Sequence, residues 1–284
     1  MDIILRLKNM NMKDITLQRI AKAIARWFFF DIPHRIAWAL PLKFTVQNKK
    51  NLLKYKDIHK GKRCFIIANG PSLKEIDFSL LKNEITIGMN RIYLLEKTNG
   101  FMPNYLVCID IPCQLKQFWD DYNRINIHRF YRWEARKFFG EQENLNYLRH
   151  GFSPQFKKDI LKPIGVTRSV TYTCIQLAYY MGFNQIILIG KDHSYNISGK
   201  AGTPVKSDGA ETNHFIDGYY KKGMKWDIPD YLSEELAYRL ARKAVEMEGK
   251  EIFDATKDGK LNVFEKIKYE DLFLEGPHIN SEKQ

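Results

Sequence analysis

The ten residues RCFIIANGPS (63–72) decide the fold. An apolar run this short, closed by Asn-Gly-Pro-Ser, reads as a buried β-strand stopped by a turn. The same format recurs in EITIGM (84–89), YLVCID (105–110), QIILIG (185–190) and EIFDAT (251–256). Helical stretches separate these runs. EIDFSLLK (75–82) and RIYLLEK (91–97) are short, and SVTYTCIQLAYYMG (169–182) ends in glycine. YLSEELAYRLARKAVEMEG (231–249) places Glu early, Arg and Lys late and Gly249 at the cap. Strands of this length alternating with helices predict an α/β doubly wound fold, with a mostly parallel sheet covered by helices on both faces.

Upstream of this pattern the composition changes. Formal net charge is +12 over 284 residues, yet residues 1–60 hold 13 Lys/Arg against 4 Asp/Glu, so the remaining 224 residues carry only +3. A basic excess confined to one segment argues for a partner of that segment rather than for nucleic acid, whose recognition motifs are missing. DITLQRIAKAIARWFFF (14–30) puts Leu17, Ile20, Ile24, Trp27 and Phe28 on one helical face and Arg19, Lys22 and Arg26 on the other. Pro33 interrupts the pattern, and HRIAWALPLKF resumes it as far as Pro41. Such a basic, aromatic-ended helix suits an anionic membrane surface contacted through residues 14–45; packing on the main domain or on another subunit is the alternative. Residues 48–62 read as a solvated basic connector. The expected organisation is a helical extension over 1–60 and a catalytic domain over 61–284, with a lid at about 191–230. With 44% hydrophobic and 27% charged residues, the chain is neither disordered nor fibrous. Cys64, Cys108, Cys113 and Cys174 form no CxxC pair, and Cys64 and Cys108, inside apolar runs, read as reduced core residues of a cytoplasmic protein. No run approaches the roughly 20 apolar residues that span a bilayer, and no cleavable signal is expected.

In a doubly wound sheet the ligand sits beyond the carboxyl ends of the strands. Four loops qualify. After the first strand, Asn69, Gly70, Pro71 and Ser72 offer a close backbone approach, side-chain polar groups and amides that attract phosphate. Asn90 and Arg91 follow the second strand, and Asp110 the third. Thr167, Arg168, Ser169 and Thr171 gather hydroxyls and a guanidinium at a helix start, where capping by Ser169 is the plainer role. GKDHSYN (190–196) brings Asp192 and His193 and opens a long polar loop. Beyond it, GAETNHFIDGYY (209–220) carries His214, Tyr219 and Tyr220. A histidine on the ligand side suits a general base, and His214 is preferred over His193 because the two tyrosines that follow it can support a leaving phosphate. There is no Walker loop, GxGxxG, DxD, GxSxG, HExxH or kinase signature.

ANGPSLKEIDFSLLK, IGMNRIY and the TRS-containing helix that runs into MGFNQIILIGKDHSY together resemble the bacterial sialyltransferases that use CMP-sialic acid. They also resemble the broader 6-hydroxymethylpterin diphosphokinase-like family, which includes flagellin-glycosylation proteins. NHF…YY and IFDATKDGKLNVFEKI are nearer to that broader family. The resemblance covers about residues 62–268. It implies a Rossmann-like domain with a lid and inverting transfer of a nonulosonic sugar from a CMP donor to a cell-surface glycan or lipooligosaccharide, without metal or further cofactor. In its terms Asn69, Gly70, Ser72 and Asn90 hold the nucleotide, Ser169 and Thr171 contact the donor, His214 is the base, and Tyr219 and Tyr220 steady the phosphate. The enzyme would rest on the inner membrane surface, and its aromatic-rich helices make self-association an expectation. Two other readings compete: a pterin pyrophosphokinase using ATP and magnesium, with Asp110 and Asp192 as ligands, and a non-catalytic module that binds a nucleotide or glycan.

Overall fold

A computed structural model describes residues 21, 24, 25, 27–167, 169–210 and 212–274. Five runs become strands where expected: β1 (Arg63–Ile67), β2 (Ile85–Met89), β3 (Tyr105–Cys108), β6 (Gln185–Ile189) and β9 (Glu251–Asp254). Three further strands join them in one sheet: β4 (His128–Arg132), β5 (Leu145–Leu148) and β10 (Glu265–Lys266). The order is β10-β9-β6-β1-β2-β3-β4-β5, and every neighbouring pair runs parallel. β1 to β5 step outward in one direction, whereas β6 returns to the other flank of β1. The order therefore reverses between β1 and β6, and that reversal opens a crevice beyond their carboxyl ends.

Four helices matter for the site: α1 (Ile32–Ala39), α2 (Lys43–Leu53), α3 (Val170–Tyr180) and α4 (Tyr231–Glu246). α3 is buried along its length and packs across β1, β2 and β3, while α4 packs on α3 and β9. The short helices expected at 75–82 and 91–97 are instead tight 3-10 turns at Pro71–Glu75, Phe78–Leu81 and Asn90–Leu94, the last running into a single α-turn, Leu95–Asn99. Within the stretch expected to form a lid, β7 (Pro204–Lys206) and β8 (Lys225–Asp227) make a separate antiparallel ribbon. Gln117 ties this ribbon to the segment after β3. Its amide nitrogen donates to the Lys225 carbonyl at 3.0 Å, and the Lys225 N–H donates to its amide oxygen at 3.2 Å.

The connector expected over 48–62 is only partly solvated: Lys54, Lys56, Lys60 and Lys62 are exposed, but one face of it packs. Asn48, Leu52 and Tyr55 are buried, and α2 covers the free edge of β5. There the Asn48 side chain acts as one more ladder residue: it donates to the Tyr147 carbonyl at 3.0 Å and accepts from the Tyr147 N–H at 2.9 Å, closing an edge that would otherwise template pairing with another chain. α1 docks too, with Trp38 against Trp133 at 4.9 Å between ring centroids and the Trp133 indole N–H donating to the His34 carbonyl. Packing thus runs without a break through residue 60. Most of the helix expected over 14–30 lies outside the described residues; the described end, Trp27–Asp31, is a π-turn whose Phe28 and Phe29 are 55% and 85% exposed.

Two buried histidines make this core sensitive to acid. Burial, then Arg136, lowers the His34 pKa to about 4; burial, then Arg132, lowers that of His150 to about 3. Well above pH 6.5 both rings are neutral in the folded and the unfolded chain. Below it the unfolded chain binds the extra protons, so stability falls with pH until the folded values are reached, by up to about 1.4 kcal/mol per unit for each ring. Urea unfolding at pH 7.0 and 5.5 is expected to show the lower midpoint at 5.5. Equal midpoints would contradict this assignment.

Candidate active site

The crevice at the strand-order reversal is a cavity of about 910 Å³. Loops after β1, β2, β3, β4, β5 and β6 line it, together with the start of α3, the first turns of α4 and the 213–230 segment. Of the residues expected to act, Asn69, Gly70, Asn90, Asp110, Ser169, Thr171, Asp192, His193, His214 and Tyr220 are on its wall. Pro71, Ser72, Arg91 and Tyr219 are not, and Arg168 lies outside the described residues.

The loop after β1 differs from expectation in what its amides bond to. Ser72 donates to Asp192 through both its N–H (3.0 Å) and its hydroxyl (2.8 Å), and the Gly70 N–H donates to the Gly190 carbonyl at 2.9 Å. The amides proposed to attract an anion are therefore engaged inside the protein, by a carboxylate at that. Gly70 is required by the same approach: a Cβ there would lie 1.7 Å from Asp192 Oδ2 and 2.7 Å from the Gly190 carbonyl oxygen. Its close contact is with the loop after β6, not with a ligand.

The start of α3 is open instead. Ser169 occupies the N-cap position but makes no side-chain cap; its hydroxyl lies 2.5 Å from the Tyr238 hydroxyl. Ser169, Val170 and Thr171 line the cavity, and the start of this eleven-residue helix carries no side-chain cap from Ser169. Next to them, two asparagines close β1 and β2. The Asn69 amide nitrogen donates to the Met89 carbonyl at 3.0 Å, and Asn90 takes a left-handed backbone (φ 50°). Each keeps a buried side-chain oxygen without a hydrogen-bond partner among the described residues. Both acceptors belong to residues that line the cavity, and leaving such atoms unpaired costs about 1–3 kcal/mol each.

The loop carrying His214 is fastened to the loop after β1 by the Phe215 N–H, which donates to the Asn69 carbonyl at 3.0 Å. The imidazole stacks face to face on Tyr219, 3.8 Å between centroids and 3° between planes. Tyr219 and Arg91 thus serve behind the wall: the Arg91 N–H donates to the Tyr219 hydroxyl, its guanidinium donates to the Tyr219 carbonyl, and that guanidinium lies 3.7 Å from the centre of the Phe118 ring. The Tyr220 hydroxyl accepts from the Gln114 amide, and burial, then Tyr219, raises its pKa, so its own proton stays available for donation.

His193 sits in an ionic cluster that the sequence did not announce. Its Nε2 is 3.2 Å from Glu235, its ring meets Tyr231 edge-on at 4.5 Å, and burial, then Lys191, holds its pKa below the ordinary value. Lys191 donates to Glu234 at 2.8 Å; burial would lower the ammonium pKa, but Glu234 outweighs it and raises it. Glu234 also accepts from Tyr238. Lys191, which directly follows the apolar run of β6, lines the cavity together with Glu234, Arg132 and Arg149; the last three carry no sequence signal, because strand ends in β4 and β5 and the inward face of α4 become visible only once the sheet is assembled.

A family model described as 6-hydroxymethylpterin diphosphokinase MptE-like matches residues 42–198. The chain belongs to the MptE-like family. No curated protein matches it. Among solved structures, this MptE-like chain is similar to the MAf glycosyltransferase from Magnetospirillum magneticum AMB-1, with a TM-score of 0.50 and 14% identity, over 82% of this chain and 39% of that one. It is also similar to the sialyltransferase CstII from Campylobacter jejuni, solved with a substrate analogue, cytidine-5'-monophosphate, with a TM-score of 0.45 and 16% identity, over 73% of this chain and 85% of that one. The chain thus spans 39% of the length of the MAf protein. At these identities the likeness concerns the fold, which is Rossmann-like.

Proposed function

We propose that the protein is a glycosyltransferase that moves a sialic acid-type sugar from a CMP donor to a hydroxyl of a cell-surface glycan or lipooligosaccharide. The observation that carries this reading is the pair of orphaned oxygens on Asn69 and Asn90 beside the uncapped start of α3, all on one cavity wall. An exocyclic amine or ribose hydroxyls supply the donors the asparagines lack, and a phosphate meets the amides of α3. In the reaction His214 takes the proton from the acceptor hydroxyl as its oxygen attacks the anomeric carbon. The bond from that carbon to the phosphate oxygen breaks, CMP leaves with the electron pair, and configuration inverts. Tyr220 donates to the departing phosphate. No metal-dependent step is invoked, so EDTA is expected to leave turnover unchanged.

Incubation with CMP-sialic acid, related CMP-sugars and UDP- and GDP-sugars is expected to release CMP alone. Asn90→Ala is expected to weaken CMP binding about tenfold by calorimetry. Turnover of a different nucleotide sugar, or CMP affinity unmoved by Asn90→Ala, contradicts the donor assignment. The exposed Ile24, Trp27, Phe28 and Phe29 with the basic surplus around them support a cytoplasmic enzyme resting on the inner membrane, read by flotation with anionic vesicles of the intact chain beside one lacking residues 1–47.

The family description itself favours a second reading, pyrophosphoryl transfer from ATP to a pterin alcohol. The carboxylates this would need are mostly engaged: Asp192 holds Ser72, and Asp110 accepts from the Cys113 N–H. Among the described residues no three metal-ligating side chains come together. AMP formed from ATP with magnesium and a hydroxymethylpterin selects this reading over the first.

A further inference from the structure

The end of the cavity beyond β4 and β5 contains a charge that the transfer described above does not use. Arg132 closes β4 and Arg149 follows β5; both line the wall. Glu134, 2% exposed, lies between them and accepts from Arg132 Nε at 2.9 Å and from Arg149 Nη1 at 2.9 Å. Burial alone would raise the Glu134 carboxyl pKa, but Arg132 and Arg149 outweigh it and hold it below the usual range. The two guanidiniums share this one carboxylate; Asp110 also lies within electrostatic reach of Arg132, and Asp31 of Arg149, on the wall of the same cavity. Arg149 also donates to the His150 carbonyl at 2.6 Å, whereas Arg132 Nη1 and Nη2 make no hydrogen bond among the described residues. Glu134 thereby aligns a fork of free donors, the geometry that binds an oxyanion in bidentate fashion. Lys116 lines the same wall.

Position separates this fork from the nucleotide. Strands lie about 4.8 Å apart, so β4 is about 14 Å from β1, where Asn69 and its neighbours stand. The surface beside the fork is apolar. Phe152 lines the cavity, is 52% exposed and carries Arg35 at 4.7 Å over its ring. Asp31, also on the wall, ends the turn that exposes Phe28 and Phe29.

We propose that the acceptor is an anionic amphiphile, whose phosphate or carboxylate pairs with Arg132 as aligned by Glu134 and whose apolar part leaves the cavity across Phe152 and the 27–31 turn. This rests on the glycosyltransferase reading and names its acceptor class.

The test uses the full chain and octyl phosphate below its micelle concentration. Octyl glucoside serves as the tail alone, inorganic phosphate as the anion alone, and CMP as the probe of the donor side. Octyl phosphate is expected to bind at least tenfold more tightly than either control. Arg132→Gln is expected to lose at least tenfold of that affinity with CMP binding unchanged, and Arg132→Lys to recover part of it. Phe152→Ser is expected to weaken octyl phosphate and leave inorganic phosphate as it was. Octyl phosphate bound equally by parent and Arg132→Gln overturns the proposal, as does a parallel fall in CMP affinity, which assigns Arg132 to the donor. If CMP fails to bind the parent while octyl phosphate still depends on Arg132, the donor reading fails and the anion subsite stands.

Discussion

Replacing His214 by asparagine is expected to lower CMP release from CMP-sialic acid by at least about 100-fold, the lower end of what a positioned general base contributes, while CMP affinity changes by less than about twofold. The expectation follows from how the ring is held. Its loop is fastened to the carbonyl of Asn69, so it faces the same cavity as the asparagines, and Tyr219 stacks on it at 3.8 Å. Tyr219 is fixed in turn by two donors of Arg91. Asparagine keeps a polar side chain in this place and removes the imidazole nitrogen that is to take the acceptor's proton. His193 is the natural competitor, but it is engaged with Glu235 and Tyr231 in the cluster around Lys191. Steady-state rates for His214→Asn and His193→Asn, compared side by side, decide between them. A large loss only in His193→Asn would move the base to the other histidine.

Gly70→Ala is expected to cost about 3–5 kcal/mol of folding stability, far more than its single added methyl suggests. The Cβ would fall 1.7 Å from Asp192 Oδ2, and the carboxylate has nowhere to retreat without releasing the Ser72 amide and hydroxyl. Overpacking of this kind costs typically 1–3 kcal/mol, and each hydrogen bond to a charged group about 1.5–3. Ser72→Ala, which removes only one of the two bonds, is expected to cost less than half as much. Chemical denaturation of both variants makes the comparison. A Gly70→Ala chain within 1 kcal/mol of the parent would show that the loops after β1 and β6 do not clasp as described.

That clasp also marks the limit of sequence reading. IIANGPS announces a strand and a turn, and both are present, with Asn69 and Gly70 on the cavity wall. What it does not announce is that Asp192, 120 residues later, occupies the Ser72 amide. The parallel pairing of β1 with β6 creates that contact, and no local pattern encodes it. β4 and β5 were missed for a related reason. HRFYR and LNYL interrupt their apolar runs with Arg129 and Asn146, which are buried because side-chain partners satisfy them: Arg129 donates to the Tyr122 and Glu143 carbonyls and Asn146 to the Tyr55 hydroxyl. The connector was misread because Lys-rich composition hid Asn48 and Leu52, two inward positions on an otherwise basic helix. Asn90 stands out in the sequence because it directly follows the apolar run of β2, and His214 because it lies in a long polar loop; both line the cavity. Arg132 and Glu134, two residues apart at a strand end, carry no such signature.

The central claim is that a pyrimidine nucleotide lodges at the β1–β6 reversal, its base or ribose against Asn69 and Asn90 and its phosphate at the start of α3. A crystal structure of the protein soaked with CMP tests it most directly. The account requires density within hydrogen-bond distance of the Asn69 and Asn90 side-chain oxygens, with the phosphate beside Ser169 and Thr171. Density for CMP elsewhere in the cavity, with both asparagine oxygens still unpaired, would contradict it.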